Sequence, residues 1–445
     1  MACEDELVAA KQGFSLSAIA VPVYFPGLMF SLGQNAYTPV LPAIAILLGA
    51  DLAQAGLVSA ISMVGTLIGD LPAGVAVQRF GERLSMIGAA ILATVGVTLA
   101  LLAPNVFVLA AGVLIMGFAT SVFFLARQSF MSLAVPRSHR ARAMSMMGGV
   151  FRAGSATGPF IGAAIIGITG EVQSVFLVTI AANLVTLAFV WFVPDLEVPT
   201  VTGELELTKA ERSVLRTFHQ HRHMMLTIGL GSAILSAIRT SRNVIMPLWA
   251  VTLDVSPATT SFIIGLSAVL ELALFAMGGW MMDRYGRVRV VVPVTGGLTL
   301  VHAAIFVVDD LPQHLLWLSV ISLGMALANG LGSGILMTLA ADAAPRRSPA
   351  RFLAAFNLLK SAGQAAAPVW IAGFTAWLSV GAAALVTAGI GVIGTALLWM
   401  YIPKLLPEVA RGNSMAPTTP IPVIVPKVQA EFEPKSGLTA TTESD

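Results

Sequence analysis

Seven ionisable side chains stand where a long apolar sequence has little reason to hold any. Asp70, Arg127, Arg152, Arg239, Arg242, Glu271 and Lys360 all fall inside long, mainly apolar stretches. A charge held far from water is expensive and marks a pathway, a proton relay or a structural pair. Arg152 illustrates the depth. Arg142 closes a basic loop, and ten residues of helix at 1.5 Å rise carry Arg152 about 15 Å further, near mid-bilayer. Asp70 and Arg127 fall at similar depth, roughly 12–15 Å from their helix ends, as does Lys360 in the other half of the chain. Asp70 pairs with Arg127 or with Arg152, and either choice leaves one arginine without a partner. Arg239 and Arg242, in SAIRTSRN, are three apart and share one helix face. Glu271 is the only carboxylate at a depth to meet them. It is either their permanent partner or a proton carrier that they tune. Gln34, Asn35 and Asn329 add neutral polar groups suited to a cavity wall. Two interior carboxylates offset two of the five interior cations, and about three positive charges remain, which favours an anionic substrate or moiety over a lipophilic cation.

Other chemistries are poorly supported. His219, His221 and His223 have spacing for a metal but read as a solvated basic cluster at a helix start, and His302 as a packed histidine, so no metal is expected. Gly330 to Gly334 is only superficially a phosphate loop, and GxxxxGK[ST] occurs nowhere, so ATP is not the energy source in this chain. No nucleophile, histidine and carboxylate set can be assembled, and neither an enzyme nor a cofactor is expected. The single cysteine, Cys3, excludes an intramolecular disulfide and a cysteine-based metal cluster.

The elements that must position these charges are membrane helices. The chain has 445 residues, of which 56% are hydrophobic and 11% charged, and its mean hydropathy is +0.85. That is too apolar for a soluble globular protein, so the lipid bilayer is its solvent. A net charge of +2 offers no field for nucleic acid. The acidic start MACEDELVAAKQ lacks the features of a signal peptide. Spans are expected near 17–48, 53–77, 84–103, 106–134, 143–168 and 173–193, then near 224–251, 257–281, 290–308, 314–342, 352–378 and 380–402. The polar connection includes a short amphipathic helix near 208–218. The expected division is 1–194 for the first six-helix bundle, 195–222 for a central loop, 223–404 for the second bundle and 405–445 for a disordered tail. Twenty of the 25 Lys and Arg residues fall on one side of this layout and five inside helices, while the opposite loops carry only Asp51, Glu171, Asp254, Asp309 and Asp310. By the positive-inside rule both termini and the central loop are cytoplasmic, in a cell inner (plasma) membrane.

The layout repeats. Pro345, Arg346, Arg351, Gly363 and Pro368 follow Pro136, Arg137, Arg142, Gly154 and Pro159 at an offset of 209. Between the second and third spans stands GVAVQRFGER, with Gly74, Gln78, Arg79, Gly81 and Arg83; between the eighth and ninth stands GWMMDRYGRVR, with Gly279, Asp283, Arg284, Gly286 and Arg287. Here one glycine suits helix contact and the next a tight turn. This spacing resembles the cytoplasmic signature of the major facilitator superfamily. The resemblance covers roughly residues 15–403 and implies a duplicated twelve-helix fold: an all-α integral membrane protein of two six-helix bundles that rock about a central site lined by helices one, four, seven and ten. It also implies a charge network at the cytoplasmic gate, in which Asp283 is acidic and Gln78 is not. The segment GSATGPFIGA in the fifth span, with Gly154, Gly158, Pro159 and Gly162, is similar to the signature of proton-exchanging exporters, although Ala163 replaces its last glycine. Arg127 lies ten residues beyond Gly117 and does not match the arginine of a second exporter signature.

The expected function is secondary active transport: export of a small amphipathic or anionic compound, driven by a proton gradient, with uptake of an organic anion as the alternative. A non-transporting sensor or scaffold is remote, because the central loop and tail are too short to build a folded effector domain. The protein is expected to act as a monomer.

Overall fold

The computed structural model describes residues 24–134, 137–192, 217–332, 334–345 and 349–407. Described residues are almost all helical, and ten helices among them are long and apolar enough to cross a membrane, with mean hydropathies from 1.2 to 2.3. Two interrupted or less apolar helices complete twelve. α1 runs Phe25–Tyr37, tightens to a 3-10 turn at Thr38–Val40 and resumes as Leu41–Leu47. α2 and α3 are the two limbs of Leu52–Leu101, bent at Gly81. α4 is Val106–Ala134, α5 Arg137–Thr169 and α6 Val175–Phe192. α7 is Leu230–Thr252, α8 Pro257–Tyr285 and α9 Val288–Val308. α10 is broken into His314–Leu331 and Ile335–Ala343; α11 is Pro349–Trp377 and α12 Val380–Leu405. The expected spans thus recur with small shifts, except that the first and tenth are not continuous. Most of the expected amphipathic helix, both chain ends and the division points near 194 and 405 lie outside or at the margins of the described residues.

The helix ends follow from local chemistry. Where the chain re-enters the apolar layer at the end carrying the acidic loops, side chains take up orphan amides. Asp51 and Gln54 form a reciprocal capping box on α2 at 2.8 and 3.1 Å. Ser256 accepts from the Thr259 amide on α8 at 3.2 Å, and Ser379 accepts from the Ala382 amide on α12 at 3.0 Å. At the opposite, basic-loop end the chain reverses on Gly81 (φ 76°) and Gly286 (φ 87°), a conformation that a side chain disfavours.

Duplication is visible in the contacts. A Cβ on Gly154, Gly158 or Gly162 of α5 would strike the backbone or Ser31 of α1, at 2.7 Å from Ser31 Cβ, 2.5 Å from Leu32 O and 2.6 Å from Ala36 O. In the second half, a Cβ on Gly363 of α11 would overlap the Ala233 carbonyl of α7. Positions 209 residues apart therefore make the same close approach, α5 on α1 and α11 on α7. The halves also meet toward the acidic-loop end. Phe160 of α5 packs edge-to-face on Phe262 of α8 at 5.4 Å, and a Cβ on Gly265 would lie 3.1 Å from the Phe160 ring. A Cβ on Gly56 of α2 would lie 3.4 Å from Leu248 of α7 and 4.0 Å from Ala372 of α11. At the basic-loop end, Gln78, Arg79 and Phe80 of the first half and Asp283, Arg284 and Tyr285 of the second are exposed. Large apolar side chains such as Ile68, Ile91, Phe107, Leu300 and Val392 stand on the outer surface, as lipid requires.

Candidate functional site

A cavity of ≈ 600 Å³ lies between the halves. α1 supplies Asn35, Thr38 and Pro39; α5 supplies Arg152, Ser155 and Pro159; α7 supplies Arg242 and Asn243; and α8 supplies Ser267 and Glu271. Phe124 of α4, Ser322 of α10 and Gln364 of α11 complete the polar and aromatic wall. Helices one, four, seven and ten therefore all reach the cavity, but two of its three charges come from α5 and α8. The 3-10 turn of α1 places Thr38 and Pro39 on the wall, and Pro159 and Pro247 stand opposite within α5 and α7. Prolines inside helices free carbonyls that need polar surroundings, and these line the cavity.

Glu271 is the hub. One carboxylate oxygen accepts from Arg152 at 2.9 Å and the other from Arg242 at 2.6 Å. Arg152 belongs to the first half, whereas Arg242 and Glu271 belong to the second, so the triad spans the two bundles. Its members keep some solvent contact, with side-chain exposures of 30% for Arg152, 22% for Arg242 and 12% for Glu271. The Arg152 guanidinium also lies over the Phe275 ring, 4.8 Å from its centroid, where the face of an aromatic attracts a cation. Two cations on one carboxylate leave the triad with a net charge of +1. Beside it, Ser267 and Ser322 hydroxyls meet at 2.6 Å, joining α8 to α10.

The structure corrects several expected pairings. Asp70 meets neither Arg127 nor Arg152; it accepts a hydrogen bond from Ser121 of α4 and is exposed. Arg152 has Glu271 instead. Arg127 is 2% exposed, with no acceptor for Nε or Nη2. It has room only because residue 27 is glycine, for a Cβ there would overlap the guanidinium. Arg239 and Arg242, expected to act from one face, separate: Arg242 reaches Glu271, while Arg239 Nη2 donates to the Asn329 carbonyl of α10 at 3.2 Å and its Nε finds no acceptor. Arg239 also occupies the break in α10, since a Cβ on Gly332 would lie 2.6 Å from Arg239 Nη2. Lys360 meets no carboxylate among the described residues, and one turn along α11 Gln364 reaches the cavity. Gln34 donates to Thr120 of α4 at 3.0 Å, Asn35 to the Ser31 carbonyl at 2.8 Å, and Asn329 is buried with an unpartnered Oδ1. His302 is fully buried, its ring nitrogens 2.8 Å from Ser241 Oγ and 2.8 Å from Leu298 O. No group of three metal-ligating side chains occurs among the described residues.

The two basic turns differ as their sequences do, and in the second a further carboxylate joins Asp283 on Arg287. Arg287 donates to Asp342 of α10 at 3.0 Å and to Asp283 at 3.3 Å. Asp283 is 82% exposed, whereas Asp342 is 17% exposed, so Asp342 is the more sheltered partner. Sequence reasoning missed Asp342; the available signal was a carboxylate at the basic-loop end of the tenth span. In the first half Arg83 caps the end of α6, donating to Val190 O at 3.1 Å and Trp191 O at 2.6 Å. Gly74 and Gly279 were expected to let helices touch, but a Cβ on either would meet nothing within 4 Å; with the basic-loop ends exposed, no helix presses on them.

Residues 23–368 match the family described as Major Facilitator Superfamily, as do residues 228–428 in a second alignment. No curated protein sequence matches the chain. Among solved structures, a POT family transporter in complex with 5-aminolevulinic acid is similar at a TM-score of 0.70 and 12% identity, covering 86% of this chain and 96% of that one. The inward open xylose transporter XylE from E. coli is similar at 0.68 and 16% identity, covering 89% and 99%. The nucleoside transporter NupG is similar at 0.69 and 14% identity, covering 85% and 98%. At such identities these structures establish the fold alone.

Proposed function

The chain belongs to the Major Facilitator Superfamily and is a multi-pass membrane transporter, and we propose that it carries a small anion together with a proton through the cavity around Glu271. The observation that supports this reading is the sharing of Glu271 between Arg152 and Arg242, one from each bundle. An anion entering the cavity competes with the Glu271 carboxylate for the same guanidinium groups, whose fork suits a carboxylate, sulfonate or phosphate. Once it takes an arginine, Glu271 loses countercharge in a poorly solvated site, and a proton from the open side neutralises it. Anion and proton then occupy the same state and cross together as the halves rock. The net +1 of the triad suits one negative charge.

The Gly154 to Gly162 segment supports a second reading, export by proton exchange. In that case substrate and proton exclude one another. The readings therefore differ in the sign of one linkage. With purified protein and a panel of carboxylates, sulfonates and phosphates, anion affinity that rises as pH falls supports symport, and affinity that falls supports exchange. Proteoliposomes with an imposed pH gradient then give the direction of net transport. If no anion binds, the reading fails.

The same proposal places both termini and the basic loops in the cytoplasm of a cell inner membrane, divides the chain at residues 195–222 and takes the working unit as a monomer. Cys3 is the single cysteine, so a membrane-impermeant thiol reagent that labels it in intact cells refutes the orientation.

A further inference from the structure

The cavity changes character along its length. Met147 and Phe151 precede Arg152 on α5 and so lie on its basic-loop side. There the Phe124 ring of α4 meets the Phe151 ring, with centroids 4.4 Å apart and planes tilted by 58°. Leu272 follows Glu271 on the oppositely directed α8 and falls on the same side. All four side chains are half-buried, with apolar surface still turned to open space. Toward the acidic-loop end the lining becomes polar. Asn35 sits level with Gly158, whose Cβ would lie 3.0 Å from the Asn35 carbonyl carbon, and Thr38 lies further along α1. Ser155 follows Arg152 on α5, and Ser267 precedes Glu271 on α8, where it meets Ser322. Met246 and Ile264 stand among these hydroxyls and amides.

The charged triad separates the two ends. One face of the Arg152 guanidinium is covered by Phe275 and one N–H goes to Glu271, but a guanidinium carries five N–H groups in its plane, so others remain for an anion. The volume of ≈ 600 Å³ falls among cavities that hold drug-sized ligands, and a bare acetate, sulfate or phosphate would leave most of it to water. Phenylalanine and methionine surface beside an anion site is matched by a ring. An aromatic ring packs offset or edge-on against Phe124 and Phe151 and meets the Met147 sulfur at its edge. Access agrees with this polarity. Gln78 and Asp283 are exposed at the basic-loop end, whereas Phe160 on Phe262 closes the other end, so a ligand enters head first and its body comes to rest beside Phe124.

We infer that the cavity selects a monoanion carrying one aromatic ring, an arylalkyl carboxylate or an aryl sulfonate, with its head on Arg152 and Arg242 and its ring against Phe124, Phe151 and Met147. This specificity deepens the anion reading of the same cavity and rests on it. The net +1 of the triad sets the single charge, and the aromatic end sets the body.

The test is calorimetric titration of the purified full-length protein with matched probes: phenylacetate against acetate, benzenesulfonate against methanesulfonate, and benzyl alcohol as the neutral ring. Each aryl anion is expected to bind about 10- to 100-fold more tightly than its methyl counterpart, the effect of taking a ring out of water. Benzyl alcohol should bind at least about 10-fold more weakly than phenylacetate, for want of a charged hydrogen bond. Phe124→Ala should remove most of the preference for aryl over methyl anions, and Phe124→Leu, which keeps apolar volume without the ring, should remove part of it. Equal affinity for aryl and methyl anions overturns the aromatic site and leaves the anion reading standing. Benzyl alcohol binding as tightly as phenylacetate, or no anion binding at all, overturns both. A preference unchanged in Phe124→Leu and in Phe124→Ala puts the ring elsewhere and overturns the site as drawn; should the alanine variant not fold, the leucine variant alone decides.

Discussion

Replacing Glu271 with glutamine separates binding from coupling. Glu271 accepts from Arg152 at 2.9 Å and from Arg242 at 2.6 Å, and an incoming anion must break at least one of these charged hydrogen bonds. Such a bond contributes about 1.5–3 kcal/mol. Glutamine keeps the shape and one acceptor, removes the charge, and so removes the competitor. Glu271→Gln is therefore expected to bind a cavity anion about 10- to 150-fold more tightly than the native protein, the same energy expressed as an affinity ratio. It also loses the group that takes the proton. Counterflow exchange should persist, while accumulation driven by a pH gradient should vanish. Because two arginines are left facing one another, the melting temperature should fall in anion-free buffer and recover when the anion is added. Calorimetry on purified protein gives the affinity, and proteoliposomes give exchange and accumulation side by side. Unchanged affinity, or accumulation that survives the substitution, refutes the reasoning.

Three further outcomes follow from the contacts. Arg242→Gln should weaken anion binding by about 10-fold or more, the loss of one charged hydrogen bond, whereas Arg239→Gln, which reaches the Asn329 carbonyl rather than the cavity, should lower thermal stability and leave affinity within about twofold; titration beside thermal melting separates them. At the basic-loop end, Asp342→Asn should slow transport more than Asp283→Asn, since Asp342 is the more sheltered partner of Arg287; equal defects at matched expression count against this. Gly158→Leu should reduce the yield of folded protein, because a side chain there meets Leu32 O at 2.5 Å and the Ala36 amide at 3.0 Å; normal yield and transport would show that α5 can withdraw from α1.

Depth was legible in the sequence and azimuth was not. Hydropathy and the 209-residue repeat are enough to locate twelve helices, and a rise of 1.5 Å per residue gives each charge its level. That is why Glu271 and Arg242 could be matched in advance. Which way a helix is turned depends on its neighbours. Asp70 and Arg127 share a level, yet Asp70 turns to Ser121 and Arg127 presses on α1 at Gly27. The Arg152 to Glu271 pair crosses between bundles, so it depends on how the halves dock, which no pattern within either half encodes. Arg239 and Arg242 share a broad face, but three residues of helix turn one about 60° from the other, enough to send Arg239 to the break in α10 and Arg242 to the cavity. Gly81 and Gly286 were readable as turns from type alone, whereas the emptiness around Gly74 and Gly279 reflects the conformation in hand.

The approach of α5 to α1, repeated by α11 on α7, has an evolutionary corollary. In both halves the contact is made largely by glycine against main-chain carbonyls, so it is specified by the absence of side chains rather than by their identity. Residues within three positions, such as Arg152 and Ser155 on α5 or Lys360 and Gln364 on α11, are then free to change charge or size without disturbing the joint. A gene copy carrying such a joint inherits a close-packed bundle before it acquires any substrate. The two halves differ beside that joint, the first keeping an arginine in the cavity and the second a lysine one turn from the cavity residue Gln364.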